Sequence, residues 1–400
     1  MKLITAHRVL LGPAEHALHD GAVLLDGTRI HAVGPRQELA HHLPADTPRE
    51  HHPHATLLPG LINMHVHLSF DSGPDPVATL RDQDEDSLLS AMLERAQQAL
   101  RAGVTTVRDL GDRDGAALRL RTRIAHEELA APRILAAAAP LTVPHGHCWF
   151  LGGVVEHEHD IRERVHRTAA QGADLVKVMA SGGQLTPGSP PMWQSQFTPH
   201  ELSLIVDEAT RLGLPVAAHA HGSDAIEAAV RAGVSTVEHC TWMGPHGQDR
   251  RRHVAERMAE HGIYACAASS RNWRALVDRA GPERARQIHG RLSWMADLGV
   301  PLVTGTDAGL PGSVFDDFVG ALELYEYLGF TPATILDMAT VTSAAALGLG
   351  DRLGRIAAGY EADLLVVDGD PRTDGLAVLR HPRRVLTRGH TAVATDGQDG

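Results

Sequence analysis

From Gly60 onward, short apolar runs alternate with helix-like stretches, and this alternation constrains the fold of the 400-residue chain more than any other feature. Eight such runs are present, at residues 61–67, 104–107, 133–137, 173–179, 214–219, 234–239, 263–266 and 300–307. Strands that follow helices and are apolar on both faces form parallel sheets. Eight strand–helix units over residues 59–349 therefore predict an α/β protein with a (β/α)8 TIM barrel. An open doubly wound sheet is the alternative, but no glycine-rich phosphate loop follows the first run.

The helix-like stretches between these runs carry typical start and stop signals. Residues 85–102 are followed by Gly103, which is a common helix stop. Thr198 and Pro199 begin another stretch, with Glu201 at its third position, in the pattern of a capping box. These signals separate the predicted helices from the loops that follow the strands.

The two chain ends differ from this central part. Residues 21–34 contain two apolar runs around Asp26 and Gly27, which is a hairpin signal. Short strand-like runs return at residues 362–368 and 384–387. The matching character of the ends predicts one small β-sandwich domain, built from residues 1–58 and 350–400.

Composition excludes several classes of protein. A net charge of −12 provides no basic face for nucleic acid or for an acidic membrane surface. Cys148, Cys240 and Cys266 show neither a metal-type spacing nor a disulfide pattern, which favours a reducing, cytoplasmic setting. We see no secretory leader and no apolar run long enough to span a bilayer. Barrels of this kind often associate, so a homo-oligomer is compatible with the sequence.

Residues that can bind metals stand at the carboxyl ends of several predicted strands. His65 and His67 are two residues apart, so they project to the same side of a strand as a pair of nitrogen ligands. The other candidates are Lys177 in the fourth run, His219 in the fifth, His239 in the sixth and Asp307 in the eighth. In a barrel these strand ends lie at the same face, where functional residues gather.

Lys177 is unusual because Val176 and Val178 flank it within an apolar run. In a central parallel strand its ammonium has little water to reach. A buried ammonium without a partner is costly, so the site must neutralise or modify it.

Several motifs extend this pattern over nearly the whole chain. They are residues 59–67, with Asn63 where aspartate is commoner, and residues 103–109, 177–183, 196–198, 219–222 and 359–364. Together they resemble the binuclear amidohydrolase superfamily. Residues 177–183 and 219–222 are similar to its prolidase-like branch of metal-dependent Xaa-Pro dipeptidases, N-acyl amino acid carboxypeptidases and ochratoxinase-like amidohydrolases. The motifs are specific to the superfamily and fairly specific to the branch, but not to a substrate.

The resemblance implies a centre of two divalent metal ions, most simply Zn²⁺. It implies His65, His67 and Asp307 as ligands of one ion, and His219 and His239 as ligands of the other. Lys177, carrying a CO₂-derived carbamate, would bridge both ions. His221 competes with His219, but His219 lies within the predicted strand and His221 two residues beyond it.

The implied activity is hydrolysis of a carbon–nitrogen bond in a small molecule by a metal-bridging hydroxide. Asp307 would take the proton of the water and return it to the departing nitrogen. His147 matches a histidine that the family places after the third strand, where it would polarise the carbonyl oxygen. His145 stands where the family has glycine.

Substrate contacts follow less directly from the sequence. The candidates are His145, His147, His221, Trp193 and Arg271, all in segments expected after strands. N-acyl amino acids and dipeptides are the expected substrates. Hydrolysis of a cyclic amide, such as an imidazolone or lactam, uses the same metals and stays open, as does a non-hydrolytic metal-dependent isomerase or decarboxylase. A catalytically silent binding protein would lack some of the ligands, and the sequence has them all.

Overall fold

The structure, a computed structural model, describes residues 1–394, so the last part of the predicted segment 350–400 lies outside the described residues. Sixteen strands lie within that range. They are β1 (Lys2–Leu10), β2 (Ala17–Asp26), β3 (Arg29–Pro35), β4 (Arg49–Pro59), β5 (Leu61–Val66), β6 (Val104–Asp109), β7 (Arg133–Ala136), β8 (Val176–Met179), β9 (Val216–Gly222), β10 (Thr236–Gly244), β11 (Gly247–Gln248), β12 (Tyr264–Cys266), β13 (Leu302–Val303), β14 (Leu364–Asp368), β15 (Arg384–Thr387) and β16 (His390–Ala394).

Fourteen α-helices lie in the same described range. They are α1 (Arg36–His41), α2 (Pro76–Asp82), α3 (Glu85–Arg101), α4 (Ala116–His126), α5 (Glu158–Ala170), α6 (Pro199–Arg211), α7 (Ser223–Ala232), α8 (Arg252–His261), α9 (Trp273–Ala280), α10 (Pro282–His289), α11 (Arg291–Asp297), α12 (Phe318–Tyr327), α13 (Pro332–Met338) and α14 (Val341–Ala346). Two short 3-10 helices occupy Trp149–Leu151 and Leu376–Arg380. None of the helices within residues 1–394 has the length and apolar character needed to cross a membrane.

All eight predicted strands are present, and they pair in parallel. One sheet has the order β5-β6-β7, and the other has the order β13-β12-β10-β9-β8. The short strand β11 adds an antiparallel hairpin to the end of β10. The chain is therefore an α/β protein with parallel sheets, as the alternation of strands and helices predicts.

Backbone hydrogen bonds also join the outer edges of these two sheets. Asp174 N donates to Ala136 O over 3.0 Å beside β7 and β8. On the other side, Met64 N donates to Thr304 O over 2.9 Å and Asp307 N donates to His65 O over 2.9 Å. These bonds place Asp307 directly beside the end of β5.

Both chain ends contribute to one seven-stranded sheet, in the order β16-β15-β14-β4-β1-β2-β3. Its β2–β3 hairpin turns at Gly27, as predicted, with Asp26 opposite Arg29. The sheet mixes parallel pairing of β1 with β4 and antiparallel pairing elsewhere. Within residues 1–394 these strands form a single sheet, and the predicted β-sandwich stays a prediction.

The predicted helix signals also appear in the structure. The Thr198 hydroxyl accepts from Glu201 N, and the Glu201 carboxylate accepts from Thr198 N, which completes the capping box of α6. Gly103 follows α3 with a φ of 86°, in the left-handed region that favours glycine. These ends fix where α6 and α3 pack against the parallel strands.

Candidate metal centre

Side chains from the carboxyl ends of both parallel sheets surround a cavity of about 150 Å³. The predicted site residues that line it are His65, His67, His147, Lys177, His219, His221, His239 and Asp307. Segments far apart in the sequence thus bring their histidines, the lysine and the aspartate to one place.

His65, His67 and Asp307 form a compact cluster, which we call the aspartate group. Asp307 Oδ1 lies 3.1 Å from His65 Nε2 and 3.3 Å from His67 Nε2. The two Nε2 atoms are 3.3 Å apart. Three atoms that can ligate a metal therefore converge on one point.

The hydrogen bonds of the two rings decide what these atoms can do. His65 Nδ1 donates to Glu238 Oε2 over 2.8 Å, and His67 Nδ1 donates to Gly111 O over 3.1 Å. Because a carbonyl and a carboxylate only accept, both rings carry a proton on Nδ1, so each Nε2 faces inward as the atom that holds either a second proton or a cation. Asp307 Oδ1 has no hydrogen-bond partner within residues 1–394. Two ring nitrogens and a carboxylate oxygen facing one another fit a divalent cation, which would take the place of those second protons.

The charges of the aspartate group give the same indication. Burial opposes ionisation of Asp307, but His65 and His67 hold the pKa of its carboxyl well below the usual range. Burial lowers the pKa of His67, but Asp307 and Asp109 raise it, so that the net shift is upward. The cluster thus favours a positive charge at its centre. Asp307 also has a φ of 58°, a conformation that non-glycine residues adopt mainly where the surroundings enforce it.

His219, His221 and His239 form a second cluster, which we call the histidine group. One ring nitrogen from each lies within 4.8 Å of the others. Burial lowers the pKa of His219 and His239 well below the usual value, and lowers that of His221 to about 3. All three rings are therefore neutral, which is the form that binds metals. The rings of His65 and His239 are 5.1 Å apart, so the two groups adjoin.

His219 and His221 each keep one ring nitrogen as a lone pair. His219 Nε2 donates to Gly182 O over 3.2 Å, which leaves its Nδ1 as the lone pair. The Thr241 hydroxyl donates to His221 O and accepts from His221 Nδ1 over 3.0 Å, which leaves Nε2 as the lone pair. Both rings are therefore competent ligands.

Lys177 lines the same cavity from β8 and is 1% exposed. Its Nζ has no hydrogen-bond partner within residues 1–394. Burial lowers the pKa of Lys177 to about 8, against the opposing attraction of Glu238. An ammonium here would be buried without a neutralising contact, so the structure repeats the conflict that the sequence indicates.

Glu238 supports the centre and was not singled out from the sequence. Its buried carboxylate accepts from His65 Nδ1 and, over 2.7 Å, from Arg108 Nη2. Burial opposes its ionisation, but Arg108 and His65 hold the pKa of Glu238 well below the usual range. Arg108 also donates to Met64 O over 2.7 Å. The available signal was an acidic residue inside an apolar strand, the same signal that identified Lys177.

Two further contacts align the strands. The Asn63 side chain donates to Thr306 Oγ1 over 2.8 Å and accepts from Thr306 N over 3.2 Å, which ties β5 to the residue before Asp307. The Gln196 side chain accepts from His147 N and donates to Met179 O, each over 2.6 Å. The first contact gives Asn63 a structural role, and the second holds His147 against the strand of Lys177.

The predicted substrate contacts fall into two sets. His147 and His221 line the cavity, and burial lowers the pKa of His147 to about 4. His145 is exposed and lies outside the lining; it occupies a central position of the turn in which Gly146 N donates to Val143 O over 2.8 Å, and it has a φ of 57°. Trp193 is 42% exposed, and Arg271 is exposed beside Asp317 at 3.7 Å; neither lines the cavity.

The fold and the site together define an α/β protein with a candidate metal centre at the carboxyl ends of its parallel strands. The chain belongs to the amidohydrolase family, whose model matches residues 56–394, and is therefore a hydrolase that acts on carbon–nitrogen bonds. This match and the relatives below place it in the prolidase-like branch, as the sequence motifs predict.

Three similar proteins illustrate the relationship. Ochratoxinase of Aspergillus niger is 27% identical over 426 residues, which cover 96% of this chain and 84% of that protein. Imidazolonepropionase of Paracoccus denitrificans is 27% identical over 407 residues, covering 93% of this chain and 91% of that protein. The crystal structure of a Xaa-Pro dipeptidase with bound methionine has a TM-score of 0.83 and 25% identity, with 98% of this chain and 99% of that chain covered.

Proposed function

We propose that the protein is a two-metal amidohydrolase that cleaves an amide or peptide-like carbon–nitrogen bond of a small molecule. One observation carries the proposal: the aspartate group and the histidine group adjoin in one cavity together with Lys177, whose buried amine has no partner within residues 1–394. Six side chains would hold the ions. The aspartate group (His65, His67 and Asp307) would bind one ion, His219 and His239 would bind the other, and a carbamate on Lys177 would bridge them.

The carbamate follows from the charges of the site. A buried amine with a lowered pKa is neutral more often than an exposed one, and a neutral amine adds CO₂ with loss of one proton. The product is an anion with two oxygens in place of a cation. Arginine could not serve here, because its guanidinium stays protonated. The chain carries only two lysines, Lys2 and Lys177, among 37 basic residues.

Two divalent cations, for which we propose Zn²⁺, would supply an activated water as nucleophile and would polarise the substrate carbonyl. Asp307 would accept the proton of the attacking water, because its carboxylate is ionised and one oxygen has no partner. The same carboxyl group would then deliver the proton to the departing nitrogen. His147, which is neutral and 6% exposed, would donate a hydrogen bond to the carbonyl oxygen as negative charge develops there.

We assign His219 rather than His221 to the second ion because of their positions. His219 pairs with Met179 in the β8–β9 register, next to Lys177, whereas His221 lies at the end of β9. His221 would then contact the substrate or orient its neighbours.

The same proposal includes the closed architecture. The bonds Asp174 N to Ala136 O and Asp307 N to His65 O support a (β/α)8 barrel over residues 59–349, closed on both sides. We also propose that residues 1–58 and 350–400 form one small domain, because both chain ends contribute strands to the same sheet.

For substrates we propose N-acyl amino acids or dipeptides, in line with the similarity to a Xaa-Pro dipeptidase. A cyclic amide such as an imidazolone or lactam is the second candidate, because the chain is similar to imidazolonepropionase over most of its length. Both reactions add water across a carbon–nitrogen bond.

Metal analysis followed by a substrate screen tests the proposal. We expect two metal ions per chain, and release of amine from at least one N-acyl amino acid, dipeptide or lactam. Two bound ions without amine release from any of these compounds would refute the hydrolase assignment. Product analysis that shows rearrangement without addition of water would favour an isomerase instead.

A further inference from the structure

The loop between β8 and α6 forms an apolar wall of the cavity. Leu185 and Met192 of this loop line the cavity, together with Phe70 and Leu310 from other loops and Met179 at the end of β8. The ring of Phe70 packs 5.8 Å from the ring of His67. Beside the candidate ligands, the cavity is therefore bounded by hydrocarbon and sulfur and by the Gln184 amide of the same loop.

A tight turn in this loop separates a cavity residue from an exposed tryptophan. Gln194 N donates to Pro191 O over 2.9 Å, so that Met192 and Trp193 occupy the two central positions of the turn. Met192 lines the cavity, whereas the Trp193 side chain is 42% exposed. Trp193 therefore offers an exposed aromatic surface one residue along the chain from the cavity lining.

The backbone of the turn is held against the metal centre at two glycines. A Cβ atom on Gly222, the residue after His221, would lie 2.3 Å from Trp193 O. A Cβ atom on Gly182 would lie 1.9 Å from Pro190 O, and Gly182 N donates to Gln194 O over 3.1 Å. Only glycine permits these approaches, so Trp193 sits at a fixed position beside the end of β9.

The size of the cavity is a second reason to consider the turn at Met192 and Trp193. An apolar cavity of about 150 Å³ holds a molecule the size of benzene, and this cavity has that volume. The proposed metal ions and the reacting amide would occupy part of this volume, next to the histidines and Asp307. A larger group attached to the amide must therefore leave the cavity past its lining, which includes Met192, the neighbour of Trp193 in the turn.

We propose that Met192 and Trp193 form a subsite for an aromatic or similarly large apolar group attached to the scissile amide. This inference rests on the proposed amide hydrolysis and narrows its substrates to N-acyl amino acids or dipeptides that carry such a group. Met192 contacts the part inside the cavity, and the Trp193 ring stacks on the part that emerges.

Binding of two phosphonates to the zinc-loaded protein tests the subsite without turnover. Benzylphosphonate and methylphosphonate share the group that binds metal ions and differ by one aromatic ring. We expect calorimetry to show about tenfold tighter binding of benzylphosphonate, a typical effect of one aromatic contact plus its buried area. Equal affinities, or no binding of either compound, would overturn the inference.

Variants at Trp193 locate the preference. Trp193→Ala should abolish the preference for benzylphosphonate, and Trp193→Phe should keep most of it. Trp149→Ala is the matched control, because Trp149 is 46% exposed in a neighbouring loop and does not line the cavity. Metal content and melting temperature should match the wild type in all three. A preference that survives in Trp193→Ala, or a change of oligomeric mass in that variant, would show that Trp193 serves another purpose.

Turnover separates this inference from the proposed function. N-benzoylglycine and N-acetylglycine differ only on the acyl side, and N-acetylphenylalanine and N-acetylalanine differ on the amine side. A preference for the aromatic member of either pair, lost in Trp193→Ala, supports the subsite. Cleavage of all four at similar rates overturns the subsite but keeps the hydrolase, whereas a phosphonate preference without any cleavage overturns the amide substrates but keeps the subsite.

Discussion

The aspartate group and the histidine group lie side by side, but they are prepared for a cation in different ways. In the aspartate group, Glu238 and Gly111 O fix the proton positions of His65 and His67, and Asp307 supplies a negative charge. The histidine group consists of neutral rings and contains no carboxylate. The aspartate group therefore contains an anionic ligand atom, whereas the histidine group lacks one.

This difference explains why Lys177 matters. A dication bound by neutral imidazoles in a buried site is stabilised by a nearby negative charge. Cys148 cannot supply it, because burial raises the pKa of its thiol to about 12. Lys177 can supply it once its amine has become a carbamate. The comparison therefore predicts that the histidine group depends on Lys177 more strongly than the aspartate group does.

Asp307→Asn should have the largest effect on catalysis. The amide keeps the shape of the side chain but removes the charge and the proton acceptor, so we expect kcat to fall about 10³-fold. Steady-state kinetics with the best substrate of the screen measures it. Asp316→Asn, at an exposed aspartate nearby, should behave like the wild type. Full turnover of Asp307→Asn at neutral pH would remove Asp307 from proton transfer.

Lys177→Ala should lower the metal occupancy of the histidine group more than that of the aspartate group. We expect it to lose the ion of the histidine group first, which lowers the metal content from two ions to about one per chain, with at least about 100-fold loss of activity. Lys177→Glu should retain more metal than Lys177→Ala, because it restores a carboxylate. Lys2→Ala controls for loss of a lysine, since Lys2 pairs with Glu50 far along the sequence from the site. Two tightly held ions in Lys177→Ala, measured by plasma mass spectrometry, would contradict the bridge.

The histidine group contains three rings for one ion, and paired alanine variants show which of them bind. His219→Ala should lose one metal ion and most activity. His221→Ala should keep both ions while activity falls about 10- to 100-fold, the usual cost of losing a residue that supports ligands. The reverse result would assign His221 as the ligand.

Glu238→Gln should have the smallest effect of these substitutions, a lower metal affinity of the aspartate group. The amide can still contact His65 but no longer fixes its proton on Nδ1, so we expect metal affinity to fall about 10- to 100-fold. Competition with a fluorescent chelator measures this affinity. Glu256→Gln, on the surface of α8, is the control. Unchanged metal affinity in Glu238→Gln would show that the hydrogen bond to His65 does not tune the ligand.

Much of the fold, and the grouping of the candidate ligands around one cavity, could be predicted because each signal is local. His65 in β5 and His67 directly after it keep the period of two, and Lys177 interrupts an apolar strand, so short stretches of sequence reveal both features. The strand-to-helix alternation then places His219, His239 and Asp307 at the same strand ends.

The features that sequence reasoning missed depend on contacts between distant segments. Glu238 contacts His65 across 173 positions of sequence, and its place in an apolar strand marks it as unusual without indicating that contact. His145 and Arg271 were expected near the substrate because they follow strands, but neither lines the cavity. The trace of a loop depends on tertiary packing, such as the approach of Gly222 to Trp193, rather than on the residue types in the loop alone.

A crystal structure of the zinc-loaded protein, recorded at the zinc absorption edge, tests the two-metal centre most directly. The account predicts two anomalous peaks in each chain, one among His65, His67 and Asp307 and one beside His219 and His239. It also predicts continuous density beyond Lys177 Nζ that reaches both peaks. A single peak, or an unmodified Lys177 amine beside two peaks, would contradict it.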